Sequence, residues 1–352
     1  MVTIGVFDGV HCAHQELLRR VRERAAEEQA ASVAITFDPH PLQVLAPQKA
    51  PKLLTPTPVK LELLAKSGLD RLLILPFTEE FSHWPPEKFV EEVLVKTLRA
   101  VVVVVGENFR FGYRASGTPA MLLELGTQRG FHTEVLPSLR VRGVAVSSSR
   151  IRKSLEEGKL SLANRLLGRP FSIRNPIEAG QGIGRSQTVP TLNVAAYSEM
   201  LPATGVYITW ARGGTEPPEP AEDAATSAGM PLQAASESGA LESAVAGADD
   251  GLSDEALAVR IESLSRRLRS VTNVGVRPTF GERDLGVETH LLDDWQGAPP
   301  TTLEVSFLYR LRDERKFASP EELKEQILKD IRRAENYFRR LERFGVVPVP
   351  QG

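Results

Sequence analysis

Cysteine is nearly missing from this chain. Cys12 is its only copy among 352 residues, so no internal disulfide can form and a cysteine-built zinc centre lacks partners. It reads as a spacer or small core residue, and such sparse use fits a reducing compartment, so a cytoplasmic location is expected. Long apolar runs are lacking too. No stretch nears the roughly 20 residues that span a bilayer, and the first apolar run starts without the basic lead-in of a secretion signal. No membrane partner is expected. Neither charge sign prevails: 43 Lys+Arg against 45 Asp+Glu give a formal net charge of -2. That balance argues against a dedicated nucleic-acid binder and leaves small anionic ligands open.

What remains is the composition of a globular protein, 41% hydrophobic and 25% charged, in a chain long enough for two domains. Up to residue 150, short apolar runs at 2–6, 32–37, 71–76, 100–106 and 132–137 alternate with helical patterns such as 15–31, 57–67 and 86–98. Val101 to Val105 are five consecutive valines, the signature of a strand buried on both faces. Such alternation implies a doubly wound parallel sheet with right-handed crossovers and ligands beyond the strands' carboxyl ends. One or two basic helices, over 149–157 and 161–167, precede a boundary placed after Gly168.

From Phe171 the pattern changes to short β runs at 171–178, 191–195, 205–211, 270–276, 286–292 and 302–311 without helices between them. This predicts a small antiparallel β-barrel or sandwich, closed by an amphipathic helix over 319–344 with Ser319 as N-cap and Pro320 in its first turn. An interruption at 213–268 is rich in Ala, Ser, Glu, Gly and Pro through residue 250 and reads as a disordered insertion, with a short helix at 253–268.

Chemistry gathers first at Gly5-Val6-Phe7-Asp8-Gly9-Val10-His11-Cys12-Ala13-His14. A strand stops at a glycine, a Phe-Asp-Gly turn follows, and two histidines three residues apart open a helix. That spacing turns His11 and His14 to one side, where the helix start favours a phosphate. Val146-Ser147-Ser148-Ser149-Arg150-Ile151-Arg152 offers hydroxyls and guanidiniums at a second helix start. Adenylyl transfer needs positioning and charge stabilisation rather than a covalent intermediate. Two imidazoles at an α-phosphate, with Ser148, Ser149 and Arg152 on the β and γ phosphates, would meet that need. The plainer alternative is a capped helix with surface histidines.

The opening motif resembles that of the bacterial bifunctional riboflavin kinase/FAD synthetases. Thr36-Phe37-Asp38-Pro39-His40-Pro41, Gly106-Glu107-Asn108-Phe109-Arg110-Phe111-Gly112 and the 146–152 segment match the same family in the same order. The resemblance implies a nucleotidyltransferase-like Rossmann domain at 1–168 that converts FMN to FAD. It implies adenylyl-transfer roles for His11, His14, Asn108, Ser148, Ser149 and Arg152, and a phosphate-binding turn from Gly5, Phe7, Asp8 and Gly9. It places Phe37, Pro39 and His40 near bound flavin or adenine. Val6 stands where the family has asparagine and Ala13 where it has glycine. An alanine is tolerated if its φ stays negative.

The second half carries further motifs of that family. Gly180-Gln181-Gly182-Ile183-Gly184-Arg185 followed by Pro190-Thr191-Leu192-Asn193 is no P-loop, since no Gly-Lys-Ser/Thr follows, and alone it would read as a turn. In the family this region covers ATP phosphates, which implies Gly182, Gly184 and Arg185 as phosphate ligands and Thr191 and Asn193 as holders of Mg²⁺. Thr188, Val189 and Leu192 depart from the usual glycine, phenylalanine and alanine. Asn273 to Phe280 and Val287-Glu288-Thr289-His290-Leu291-Leu292 also match. On a strand Glu288 and His290 share one face, ordinarily a solvated one. The resemblance implies that Glu288 is the general base toward the riboflavin 5′-hydroxyl, and that Arg277, Arg312 and Glu314 lie on the flavin side.

The expected protein is thus an enzyme with a riboflavin kinase barrel at 169–352, using MgATP to make FMN and then FAD as a monomer or weak homo-oligomer. Activity in one half only, or flavin binding without catalysis, are the alternatives.

Overall fold

The structure is a computed structural model and describes residues 1–178, 191–214, 267–276, 285–295 and 299–343. Gly182, Gly184, Arg185, Thr188, Val189 and Arg277 lie outside the described residues, as does most of the 213–268 insertion. Two units divide the chain. One comprises Met1–Arg150 and Leu166–Gly168; the other comprises Ile151–Arg165 and the described chain from Arg169 onward.

In the first unit β1 (Val2–Ile4), β2 (Val33–Asp38), β3 (Arg71–Pro76), β4 (Val102–Gly106) and β5 (His132–Leu136) form a parallel sheet in the order β3-β2-β1-β4-β5. The valine run explains why β4 is an interior strand. Val103 and Val105 enter one core with Ile4, Ile35, Leu94 and Leu122, while Val102 and Val104 enter another with Met1, Val21 and Ala25. Val101 turns outward and is half exposed, so the strand begins after it.

The helices are α1 (Cys12–Glu27), α2 (Pro41–Leu45), α3 (Thr57–Ala65), α4 (Glu79–Ser82), α5 (Pro86–Phe89) and α6 (Pro119–Arg129). A wider π-helical stretch, Val90–Thr97, continues α5 within the expected 86–98 helix. The sequence reading leaves α6 unassigned. Its signals are local: Thr118 caps the first turn by accepting from the Met121 N–H at 3.2 Å, and Gly130 ends it at φ +82°. A short hairpin, β6 (Arg140–Val141) and β7 (Val144–Ala145), was not expected either.

The helices α7 (Ser148–Glu156) and α8 (Leu160–Leu167) follow. In the second unit β8 (Phe171–Glu178), β9 (Leu192–Val194), β10 (Gly205–Gly214), β11 (Leu268–Val276), β12 (Leu285–Leu291) and β13 (Thr302–Arg312) close an antiparallel barrel in the order β10-β11-β12-β9-β8-β13. Leu268, expected at the end of a helix, instead opens β11, and β10 runs on through Gly214.

Aromatic residues fill part of the barrel: Phe307 meets Tyr207 edge-on at 5.3 Å and Phe171 at 6.0 Å. Elsewhere Thr209, Ser270, Thr272 and Thr289 satisfy one another at 2.7–3.0 Å, which lets four buried hydroxyls sit inside. Because Thr289 and Val287 point inward, the residue between them, Glu288, points out. Helix α9 (Pro320–Arg343) lays Ala334 and Phe338 on that outer wall against Ile208, Trp210 and Val271. Its start follows the expected signals, with Ser319 Oγ accepting from the Glu322 N–H at 3.2 Å.

Candidate functional site

Sheet order locates the first site. It reverses between β1 and β4, and a doubly wound sheet opens a ligand crevice at that point. The segments at 5–14, 37–41 and 106–112 leave the carboxyl ends of β1, β2 and β4. The turn after β1 is a strained one. Phe7 has φ +53°, Gly9 +85° and Val10 +36°, and a β-branched residue at positive φ persists only where its surroundings over-determine it.

Those surroundings are visible. The Asp8 carboxylate accepts the Leu54 N–H at 2.9 Å and the Thr55 N–H at 3.1 Å, while Thr55 Oγ1 accepts the Gly9 N–H at 3.0 Å. Gln15 Nε2 donates to the Val10 carbonyl at 2.8 Å. A side chain at Gly9 would meet Leu54 Cδ1 at 2.9 Å besides its unfavourable φ, so glycine is required there. Phe7 is wholly buried with Leu18, Ala34 and Leu64. The side chains of Phe7 and Asp8 therefore build the turn.

His11 caps α1, its Nδ1 accepting the His14 N–H at 3.3 Å. In the neutral ring this puts the proton on Nε2, which becomes a hydrogen-bond donor. The two imidazoles stack at 3.6 Å and 12°, and the His14 ring meets the buried Phe7 edge-on at 5.1 Å. Ala13 lies in the first turn of α1 and is not among the residues of positive φ, so its methyl carries no backbone strain. Ser148 Oγ donates to the Asp8 carbonyl at 2.9 Å, which joins the start of α7 to the histidine turn. Ser149 is exposed, and Arg152 stands one turn along α7 from Ser148.

Asn108 follows β4, exposed, with Nδ2 donating to Ser138 Oγ at 3.0 Å. In the turn after β2, Phe37 packs with Phe77 and Phe81, the Asp38–Pro39 peptide is cis, and His40 caps α2 through the Leu42 N–H at 3.1 Å.

The second site lies on the outer wall of the barrel. Register sets Asn193 of β9, Glu288 of β12 and Asn273 of β11 side by side across three strands, so all three share the outward face. Glu288 and Asn273 line a cavity of about 320 Å³, whose other polar residues include Thr191, His290, Arg312, Glu314, Arg315 and Asp330 and whose apolar ones include Phe317, Leu323, Ile327 and Ile331. A wall that mixes polar and apolar side chains in this way can hold a ligand with an apolar body and polar groups at its edge. Asn193 Oδ1 is buried and has no hydrogen-bond partner among the described residues. Such an oxygen, with the Thr191 hydroxyl, is the hard donor set that Mg²⁺ takes alongside phosphate oxygens.

Two residues that the sequence reading passed over support these sites. Lys60 of α3 is 5% exposed and donates to the Phe37 carbonyl at 2.9 Å. Asp330 of α9 is 2% exposed, accepts from Arg312 Nε at 2.9 Å and from Gln326 Nε2 at 2.9 Å, and so fixes Arg312 at the cavity. A helix-period pattern marks position 330 as inward, and an acidic residue there is the available signal. Asp330→Ala leaves the half-buried Arg312 without its counter-charge. It is expected to destabilise the barrel by about 2–4 kcal/mol in denaturant unfolding, while Asp330→Glu loses less.

A family model described as FAD synthetase matches residues 1–150, and one described as riboflavin kinase matches residues 167–338. The chain is 30% identical over 338 residues to the bifunctional riboflavin kinase/FMN adenylyltransferase of Escherichia coli K12, covering 96% of this chain and 92% of that one. It is 31% identical over 332 residues to the protein of the same name from Pseudomonas fluorescens, covering 94% and 90%. A solved structure titled a macrolide-efflux protein, from Streptococcus pneumoniae, aligns with a TM-score of 0.72 at 24% identity over 95% of this chain and 93% of that one. At that identity the likeness is one of fold. Among the described residues no helix is long and apolar enough to cross a membrane.

Proposed function

This chain belongs to the bifunctional riboflavin kinase/FMN adenylyltransferase family, and from that premise we propose how its residues divide the two transfers. The enzyme phosphorylates riboflavin to FMN and adenylylates FMN to FAD. Residues 1–168 are assigned the adenylyl transfer. A phosphate oxygen of FMN attacks the α-phosphorus of ATP and pyrophosphate leaves. His11 and His14 donate to the α-phosphate oxygens, Asn108 orients the nucleotide, and Ser148, Ser149 and Arg152 take the leaving phosphates.

The barrel is assigned the kinase step. Glu288 accepts the proton of the riboflavin 5′-hydroxyl as that oxygen attacks the γ-phosphorus of ATP, and ADP leaves. Thr191 and Asn193 would hold Mg²⁺, which supplies neutralisation of the phosphate charge. Arg312 and Glu314 border the flavin, as would Phe37, Pro39 and His40 in the other unit. The observation that carries the kinase assignment is the Asn193–Glu288–Asn273 row, which pairs a carboxylate lining the cavity with an amide oxygen that has no hydrogen-bond partner among the described residues. A single cysteine and near-neutral charge support a cytoplasmic enzyme of small-molecule substrates, monomeric or weakly self-associating.

A metal titration tests the donor set. Enzyme stripped with EDTA is expected to lose both activities and recover both on adding Mg²⁺. Asn193→Ala is expected to raise the Mg²⁺ needed for FMN formation by roughly 10–100-fold without moving that for FAD formation. An unchanged Mg²⁺ requirement for both steps would overturn the donor assignment.

A further inference from the structure

Lys60 is a buried cation placed under two turns. Its Nζ donates to the carbonyl of Phe37 at the end of β2, and one turn earlier on α3 Thr57 Oγ1 donates to Asp38 Oδ1 at 2.8 Å. Just ahead of that helix, the Leu54 and Thr55 N–H groups hold the Asp8 carboxylate and Thr55 Oγ1 holds the Gly9 N–H. One short stretch of chain, residues 54–60, thus grips both the turn after β1 and the turn after β2. These turns carry the histidine pair on one side and the proposed flavin-proximal residues on the other.

Charge adds a second argument. Burial lowers the pKa of the Lys60 ammonium, while the carboxylates of Asp38 and Asp8 act to raise it. Both carboxylates belong to strand-end turns where two anionic substrates, ATP and FMN, would have to meet. Carboxylates near a phosphate site repel it unless a cation offsets them, and a buried cation in turn needs carboxylates. Asp8 and Asp38 each also serve the backbone or Thr57, so neither is dispensable for shape.

We propose that Lys60 is a positioning residue of the adenylyl-transfer site: from beneath, it ties the Phe37–Asp38 turn in place and offsets the Asp8 and Asp38 carboxylates so that ATP and FMN phosphates can approach. It touches neither substrate. This inference rests on the assignment of adenylyl transfer to residues 1–168.

Steady-state FAD formation from supplied FMN and ATP tests it in the full-length chain, with riboflavin phosphorylation by the same preparation as the check on folding. Lys60→Met is expected to raise KM for ATP and FMN by tenfold or more with a smaller change in kcat. Adding Asp38→Asn to Lys60→Met removes one repelling carboxylate while keeping an acceptor for Thr57, and is expected to restore most of the lost KM. Asp38→Asn alone, measured whether or not the Lys60 variant folds, is expected to leave KM for both anions equal to or below that of the unaltered chain. A Lys60→Met chain with unchanged KM values, a double variant no better than the single, or a several-fold higher KM in Asp38→Asn would each overturn the inference. Absence of FAD formation in the unaltered chain would instead overturn the assignment on which it rests.

Discussion

Glu288→Gln is expected to lower riboflavin phosphorylation by about 10²–10⁴-fold, the usual contribution of a general base, while FAD formation from supplied FMN continues. The amide keeps the size of the carboxylate and most of its hydrogen bonding, so the barrel has little reason to unfold. What it loses is the ability to accept the hydroxyl proton as the oxygen attacks. The position makes this a test of chemistry rather than of packing. Glu288 is exposed on the outer wall, whereas its neighbours Val287 and Thr289 are buried inside. Flavin chromatography after incubation with riboflavin and MgATP reads the effect directly. A kcat for FMN formation within a few-fold of the unaltered chain would remove Glu288 from the mechanism.

His14→Ala carries the second large effect. Loss of one preorganised donor to a developing phosphate charge is expected to lower FAD formation by about 10²–10³-fold. FMN formation should be unaffected. His14 separates chemistry from folding better than His11 does. The His11 ring caps α1, so its removal adds a cap loss of about 0.5–2 kcal/mol to any catalytic effect. The His14 ring, by contrast, leans on Phe7 and His11 without serving a cap. Retention of FAD formation in His14→Ala would show that the stacked pair does not serve the transfer.

Much of the architecture was legible because it follows from local pattern. Alternation of apolar runs and helices in the first 150 residues gave the parallel sheet, and the change of period at Phe171 gave the barrel. The five valines marked an interior strand, since only a strand covered on both faces is apolar at every position. Helix α6 went unassigned although Thr118, Pro119 and Gly130 bracket it, because its apolar positions do not form a strong stripe.

The sites were legible as residues and not as geometry. Nothing local tells that Asp8 is held by backbone 46 residues away, or that the Phe7 ring turns inward beneath the histidines. Glu288 was named from motif resemblance, but its row with Asn193 and Asn273 depends on strand register, which pairs residues far apart in the chain. Lys60 and Asp330 were missed for one reason. Within a helical stretch a charged residue reads as solvated, and only the tertiary partners, Phe37 and Arg312, show these two to be buried.

We propose that one chain holds two separate transfers, linked by FMN. Mixing Glu288→Gln with His14→Ala and supplying riboflavin and MgATP tests it most directly. Each variant alone should make little FAD: the first for want of FMN, the second because it stops at FMN. Together they are expected to restore FAD formation, as FMN released by the second is adenylylated by the first. Failure of the mixture to make FAD, with both variants soluble and folded, would contradict the account.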